Sequence, residues 1–293
     1  MKVIGRHFYR QRDGRSRGNS MRRVPKPPSL HRHSCLLALV GFAAVVSHGI
    51  AASATPAITT LANFNNANGR APLAGLIADA AGNLYGTTYY GGPNNVNGTN
   101  DFGTVFEISA GTHALSTLVA FNSLNGANPN ATLIADAAGN LYGTTGYGGQ
   151  FGDGTIFELA AGTHAFSTLA TFNNINGRFP QTGLIADAAG NLYGTAFIGG
   201  GNTNYGTVFK LASGTHVIST LATFNSSNGA NPNGGLIADA AGNFYGTTEY
   251  GGANDNGTVF ELTNTGFVTS VPEPAAVPLI GLAGLGLLAR RRS

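Results

Sequence analysis

Aspartate recurs at positions 79, 136, 187 and 239, each time opening an Asp-Ala-Ala-Gly-Asn segment. A carboxylate in a glycine-containing turn could serve calcium. Calcium loops, however, alternate several oxygen donors, as in D-x-[DN]-x-[DN]-G. Here alanines fill the intervening positions, so each turn offers one carboxylate. An aspartate accepting N–H bonds within its own turn explains the residue without an ion. Histidines 113, 164 and 216 each follow Gly-Thr, and three imidazoles would suit zinc. They occupy equivalent places in successive copies of a repeat, which separates them. The fourth copy has Gly266 where the turn ends and no histidine. No metal and no cofactor is expected.

Sugar hydrolysis needs two carboxylates about 5–10 Å apart. In a repetitive chain, chemistry should come from residues that break the pattern. These are Arg70, Asp101, Arg178, Lys210 and Glu249. Glu249 and Asp255 could pair across one loop. There is no G-x-S-x-G, H-E-x-x-H or Walker motif, and no catalytic residue can be named. A third set of residues suits recognition instead. Asn65, Asn68, Asn122, Asn125, Asn173, Asn176, Asn225 and Asn228 fall in loops, with Tyr90, Tyr147, Tyr250 and the acids Asp101, Asp153 and Asp255. Amides beside aromatic platforms fit carbohydrate or peptide. The competing explanation is that tight loops require Asn and Gly for their backbone alone. The candidate binding set is Tyr90, Tyr147, Tyr250, Asn68, Asn125, Asn176, Asn228, Asp153 and Asp255.

The elements that must carry these residues come from a block of about fifty residues present four times. Its clearest piece is LIADAAGNLYGTT from Leu76 and again from Leu133, LIADAAGNLYGTA from Leu184 and LIADAAGNFYGTT from Leu236. A Gly-rich stretch follows, then GTVFE, GTIFE, GTVFK or GTVFE, then a T-L-x-x-F segment. In the second copy the spacing predicts strands over 132–136, 141–145, 154–159 and 165–172, with turns at Ala137–Asn140 and Ala161–Thr163. That is a four-stranded up-and-down sheet, the unit of a β-propeller. The expected fold is all-β: a propeller of four four-stranded blades over residues 55–270. The segment Ile58–Phe64 reads as a fourth strand with no blade before it. It is expected to close the ring on the last blade, the place for which Gly266–Ser270 competes. A further reading is incomplete closure, with two chains pairing into a larger ring. Blade topology puts the Asn- and Tyr-bearing loops at one end of the sheets and the DAAGN and AGTH turns at the other.

The charge is unevenly spread. Residues 1–54 hold ten of the sixteen Lys and Arg, and Arg290, Arg291 and Arg292 hold three more. Between Thr55 and Ser270 three bases face eleven acids, a net charge of −8. A nucleic-acid surface needs a basic patch on the folded part, so no nucleic-acid partner is expected. Residues 1–54 read as an export signal: a basic run to Arg32, an apolar core from Leu36 to Val46, and Ala52-Ser53-Ala54 as a small-x-small cleavage site. Met21 is an alternative start. Cleavage after Ala54 removes Cys35, the single cysteine, and with it any disulfide.

Residues 271–293 form a second sorting element. Val271-Pro272-Glu273-Pro274 precedes an apolar run from Ala275 to Ala289 and the terminal arginines. Fifteen helical residues cover roughly 22 Å, short of a ~30 Å hydrocarbon core. The tail resembles a PEP-CTERM signal, with Pro272, Glu273 and Pro274 as its motif. The resemblance implies processing by an exosortase-type membrane enzyme, in bacteria that make extracellular polysaccharide. It also implies membrane contact through the tail, transient if cleaved and permanent if kept. The repeats themselves resemble the GloVer tandem-repeat family over roughly residues 58–266, on the D-x-x-G-N-L-Y-G-T-T, Y-G-G and G-T-V-F pieces quoted above. That resemblance implies an exported repeat protein and brings no assigned activity. The expectation is an exported cell-surface or matrix protein, a binding or structural module with polysaccharide as a candidate partner. The rival is an extracellular carbohydrate-active enzyme on the same scaffold.

Overall fold

The computed structural model of the protein describes residues 55–93 and 101–269. The export signal of residues 1–54, with its alternative start at Met21, lies outside the described residues. So does the tail of 271–293, with Pro272, Glu273 and Pro274.

Among the described residues sixteen strands make four sheets, all antiparallel. The first sheet holds β1 (Ile77–Ala78), β2 (Leu84–Thr88), β3 (Thr104–Ile108) and β4 (Leu115–Ala120) in sequential order. The second holds β5 (Ile134–Ala135), β6 (Leu141–Thr145), β7 (Thr155–Leu159) and β8 (Phe166–Thr171) in the same order. The third repeats it with β9 (Ile185–Ala186), β10 (Leu192–Ala196), β11 (Thr207–Leu211) and β12 (Ile218–Thr223). No helix occurs among the described residues. None is therefore long and apolar enough to cross a membrane.

The central two strands of each inner sheet are buried because neighbouring sheets cover both faces. In β7 the sequence TIFEL leaves only Glu158 partly exposed, and in β10 all five residues are buried. The outer strands β4, β8 and β12 expose their middle residues, as the Ser-Thr pairs there permit. Glycine in strand two is required by a close approach. A Cβ on Gly143 would lie 2.5 Å from the Phe157 ring and 2.7 Å from Leu133, so a side chain there would overpack the sheet. The same glycine–phenylalanine contact recurs at Gly86, Gly194 and Gly246.

Three hydrophobic clusters join successive sheets. Val105 and Phe121 meet Leu133 and Phe157, Ile156 and Phe172 meet Leu184 and Phe209, and Val208 and Phe224 meet Leu236 and Phe244. The phenylalanine after each outer strand packs edge-on against the next sheet's third strand. Phe121–Phe157, Phe172–Phe209 and Phe224–Phe260 have ring centroids 5.4, 4.9 and 5.1 Å apart.

The fourth sheet departs from the repeat. It comprises β13 (Ala230–Pro232), β14 (Ile237–Ala238), β15 (Phe244–Tyr250) and β16 (Thr258–Leu262), with β13, β14 and β16 all pairing to β15. Among the described residues it has no strand corresponding to β4, β8 and β12. The closing strand expected from Ile58–Phe64 is not formed on this sheet: residues 55–65 carry no strand pairing, and Ile58 is fully exposed. Phe64 instead packs on Phe106 of the first sheet at 5.0 Å. The competing segment does not supply the strand either. Phe267 turns away to pack on Tyr193 and Phe244, and the Val268 carbonyl accepts the Ala188 N–H.

Candidate binding site on the loop face

The two ends of the sheets use their polar residues differently. At the turn end each repeated aspartate is fully engaged. Asp136 Oδ1 accepts the N–H groups of Ala138 and Asn140, both at 2.9 Å. Its Oδ2 accepts Asn140 Nδ2 at 2.7 Å and the Tyr142 hydroxyl at 3.0 Å. Asp79, Asp187 and Asp239 repeat the pattern with Asn83 and Tyr85, Asn191 and Tyr193, and Asn243 and Tyr245. The asparagine then ties this turn to the next one: Asn83 Oδ1 accepts from Ala110 N, Asn140 Oδ1 from Ala161 N and Asn191 Oδ1 from Ser213 N. The signal for the network was the Asn four residues on and the Tyr six residues on, present in every copy.

Ionisation follows from these bonds. Hydrogen bonding to Asn83 holds the Asp79 carboxyl below the usual range. Burial works against the same effect at Asp136 and Asp187, yet the bonds from Asn and Tyr leave both lowered. Burial, with the Asp79 hydrogen bond and the Glu107 charge, pushes the Tyr85 hydroxyl up to about 12. Hydrogen bonds to Glu261 and Asp239 push Tyr245 to about 12. The histidines have backbone work. His113, His164 and His216 adopt positive φ of 51–54° and close the turn into the fourth strand by donating N–H bonds to Ser109, Ala160 and Ala212. The His164 ring also packs on Tyr85 at 5.7 Å. Among the described residues no His, Cys, Asp and Glu group forms a metal cluster.

Clefts open between successive sheets at this turn end. One of about 730 Å³ is lined by Asp79, Tyr85, Glu107, Asp136 and His164, with smaller ones between the later sheets. The aspartates lining these clefts, Asp79, Asp136, Asp187 and Asp239, are already saturated by the turns, while Glu107 in the first cleft stands on strand three opposite Tyr85.

The loop end holds the expected binding residues, and the structure divides them. The asparagines work in pairs. Asn125 Oδ1 accepts Asn122 N at 2.9 Å and Asn122 Oδ1 accepts Asn125 N at 3.0 Å. Asn65 with Asn68, Asn173 with Asn176, and Asn225 with Asn228 do the same. The carbonyl oxygens of Asn68, Asn125, Asn176 and Asn228 are thus committed to their own loops. Asp255 accepts Gly251 N at 2.9 Å and braces a Gly-Gly loop. Asp101 likewise accepts Gly91 N and pairs with Arg70. Asp153 pairs with Arg178 of the next repeat at 2.7 Å. Glu249 sits beside Tyr250 and raises its hydroxyl by hydrogen bonding.

The tyrosines are differently placed. Tyr90, Tyr147 and Tyr250 are all exposed, and each stands at the end of its second strand. Tyr90 and Tyr147 each belong to a separate aromatic pair, and the Tyr147 hydroxyl is near enough to act electrostatically on that of Tyr89. Arg70 stacks over Tyr90 at 4.6 Å, and Tyr90 meets Tyr89 edge-on at 4.5 Å. Burial first, then the nearby Tyr147 and Tyr90, raise the Tyr89 hydroxyl. Tyr147 packs on Phe179 at 4.5 Å, and Arg178 stacks over Phe179 at 4.6 Å. Tyr250 makes its local contacts within the fourth sheet.

Tyr89 and Phe179 were missed from sequence. Both are departures from the repeat: Tyr89 stands where the other copies have Gly146, Phe197 and Glu249, and Phe179 where they have Ala71, Asn128 and Asn231. The Phe179 position is left-handed in every copy, with φ of 54–56°. Asn tolerates that region and a bulky side chain does not. At Asn128 the amide also bonds the carbonyls of Tyr89 and Asp101. Phe179 gives up both comforts, and strain of this kind marks functional positions.

A chain of four such repeated antiparallel sheets defines a β-repeat protein with blade-like units. Residues 46–196, just over half of the chain, match the Gloeobacter/Verrucomicrobia repeat, and the chain belongs to that family. No curated protein matches the chain. Among solved structures it is similar to a chain of a nidogen–laminin complex, at 17% identity and TM-score 0.39, covering 59% of this chain and 55% of that one. It is also similar to a gluconolactonase from Xanthomonas campestris, at 16% identity and TM-score 0.35, covering 58% and 52%. TolB from Acinetobacter baumannii gives 14% identity and TM-score 0.36, covering 69% and 45%. The chain spans roughly half the length of these solved chains. At such scores they carry no argument about what this chain does.

Proposed function

We propose that this is an exported binding module that holds neutral polysaccharide on the aromatic strip of its loop face. The observation that carries the reading is two aromatic pairs on that face, Tyr89 with Tyr90 and Tyr147 with Phe179, each with an arginine stacked on it, Arg70 over Tyr90 and Arg178 over Phe179. We read them as one strip because the Tyr147 hydroxyl acts electrostatically on that of Tyr89. Aromatic faces in a row match the apolar faces of successive sugar rings. Both arginines are already paired with Asp101 and Asp153, so the strip presents little free charge. Binding of a neutral glycan there should change little with salt.

Export and surface location rest on residues 1–54 and 271–293. The Pro272-Glu273-Pro274 tail would be taken by an exosortase-type enzyme, with membrane contact before cleavage. A binding role is preferred to hydrolysis because two of the three acids lining the first turn-end cleft, Asp79 and Asp136, hold their turns closed, which leaves Glu107 without a second available carboxylate there. The test is titration of the full chain with a panel of soluble neutral and acidic polysaccharides at low and high salt. Saturable binding of a neutral member, insensitive to salt and lost in a Tyr89→Ala/Tyr147→Ala variant, is expected. Release of reducing sugar from any member would favour the enzyme.

A further inference from the structure

We infer that a second copy of this chain docks on the fourth sheet, donating its Ile58–Phe64 segment as the missing outer strand beside β16. The two ends of the stack are unfinished, and in complementary ways. In the first three sheets the second residue of strand three is completely buried: Val105, Ile156 and Val208 are each 0% exposed. Its counterpart Val259 is 81% exposed, because no following sheet covers that face among the described residues, and β16 pairs with β15 alone among the described strands. At the other end Leu133, Leu184 and Leu236 are no more than 4% exposed, while their counterpart Leu76 is 51% exposed. Within the chain, Leu133 and Val105 lie in one cluster. Leu76 of one copy and Val259 of another are the same two surfaces without their partners.

The donated strand is specified by sequence. Ile58-Thr59-Thr60-Leu61-Ala62-Asn63-Phe64 matches Phe166-Ser167-Thr168-Leu169-Ala170-Thr171-Phe172 and Ile218-Ser219-Thr220-Leu221-Ala222-Thr223-Phe224 position by position. Phe64 already makes the inter-sheet contact that Phe121, Phe172 and Phe224 make after their strands. It is therefore placed to follow a strand belonging to a preceding sheet. The register follows from the pairs Val105↔Val119, Ile156↔Ala170 and Val208↔Ala222. It sets Ala62 opposite Val259, Ile58 opposite Leu262 and Asn63 opposite Thr258, with the same irregularity after Val259. A strand with unpaired N–H and C=O groups and an apolar face is a template for such addition.

A second copy is the occupant because Leu76 and Val259 both stay exposed within the single chain. No cluster joins the fourth sheet to the first among the described residues. One chain folding back on itself would have buried Leu76 and Val259 together.

The test uses the full chain with Cys35→Ser. Ala62→Cys is made in one preparation, and Val259→Cys in a second that carries a size tag. On mixing and mild oxidation, a disulfide-linked species of one tagged and one untagged chain is expected. Val259→Lys, at a position that is exposed in the single chain, should leave the circular dichroism spectrum unchanged and reduce the mass in solution to that of one chain. The inference is overturned if mixed single variants do not cross-link while the Ala62→Cys/Val259→Cys double variant forms an internal disulfide, which means self-closure. It is equally overturned if neither cross-links, or if the unsubstituted chain has the mass of one copy at micromolar concentration.

Discussion

The turn end and the loop end of the sheets are built from equally polar residues, yet they spend them in opposite ways. At the turn end one arrangement of Asp, Asn and Tyr recurs four times with every carboxylate oxygen engaged. At the loop end the asparagine pairs recur, but the side chains around them change from copy to copy. Position 89 is tyrosine once only, and position 179 is phenylalanine once only. Recurrence marks what the blade needs in order to fold. The aromatic departures Tyr89 and Phe179 lie at the loop end, whereas Lys210 departs on a strand, over the Tyr193 ring.

The largest effect expected from this contrast is alkaline unfolding. Tyr85 and Tyr245 titrate at about 12 in the folded chain, against about 10 when unfolded. Between those values the unfolded chain loses protons that the folded chain retains, so stability is fully present below pH 10 and falls as pH rises toward 12. Denaturant midpoints measured from pH 8 to 12 should drop steeply above 10. On the acid side the lowered pKa values of Asp136 and Asp187 give stability that is present above about pH 4 and lost as pH falls further. A flat profile at both extremes would break the claim that these turns hold the fold.

Next in size is Asp187→Ala. Asp187 is buried, and its loss strands Asn191 Nδ2 and the Tyr193 hydroxyl, which lie 2.8 and 2.9 Å from it. Destabilisation of about 2–4 kcal/mol is expected in urea titrations, from one buried and one partly buried donor left without an acceptor. Tyr193→Phe should cost less, about 1 kcal/mol, since it removes a donor and leaves the carboxylate its other three bonds.

A smaller and opposite effect sharpens the comparison at the loop end. Phe179→Asn puts the residue used at Asn128 and Asn231 into the same left-handed conformation. It should raise stability by about 0.5–1 kcal/mol through relief of backbone strain. It should also weaken glycan binding, because the strip loses the ring that Tyr147 and Arg178 contact. Loss of stability without loss of binding would make Phe179 an ordinary packing residue.

The repeat made most of the fold legible in advance. Strands at Leu141–Thr145 and Thr155–Leu159 fall inside the ranges expected from alternation and turn chemistry. The first strand shrinks to Ile134–Ala135 because the Asp136 turn begins pairing at once. The orphan strand was visible in Ile58–Phe64, but its destination was not, because the angle between packed sheets is not written in any local pattern. The site was only half legible. Tyr90 and Tyr147 could be found as loop aromatics. Tyr89 joins Tyr90 beside it and Phe179 joins Tyr147 across the loops, and a list of loop residues hides those contacts. Conversely, Asn68, Asn125, Asn176 and Asn228 looked available for a ligand, although each one's carbonyl oxygen already closes a loop.

One paired measurement tests the division between the two ends most directly: thermal unfolding and polysaccharide binding, each measured on Tyr147→Ala and on Asp187→Ala. The account predicts that Tyr147→Ala keeps the melting temperature within a few degrees and loses about tenfold or more in affinity, as a stacking anchor does. It predicts that Asp187→Ala melts well below the parent yet binds normally while folded. Tyr147→Ala that unfolds, with Asp187→Ala that stays stable and no longer binds, would contradict it and place the site at the turn end.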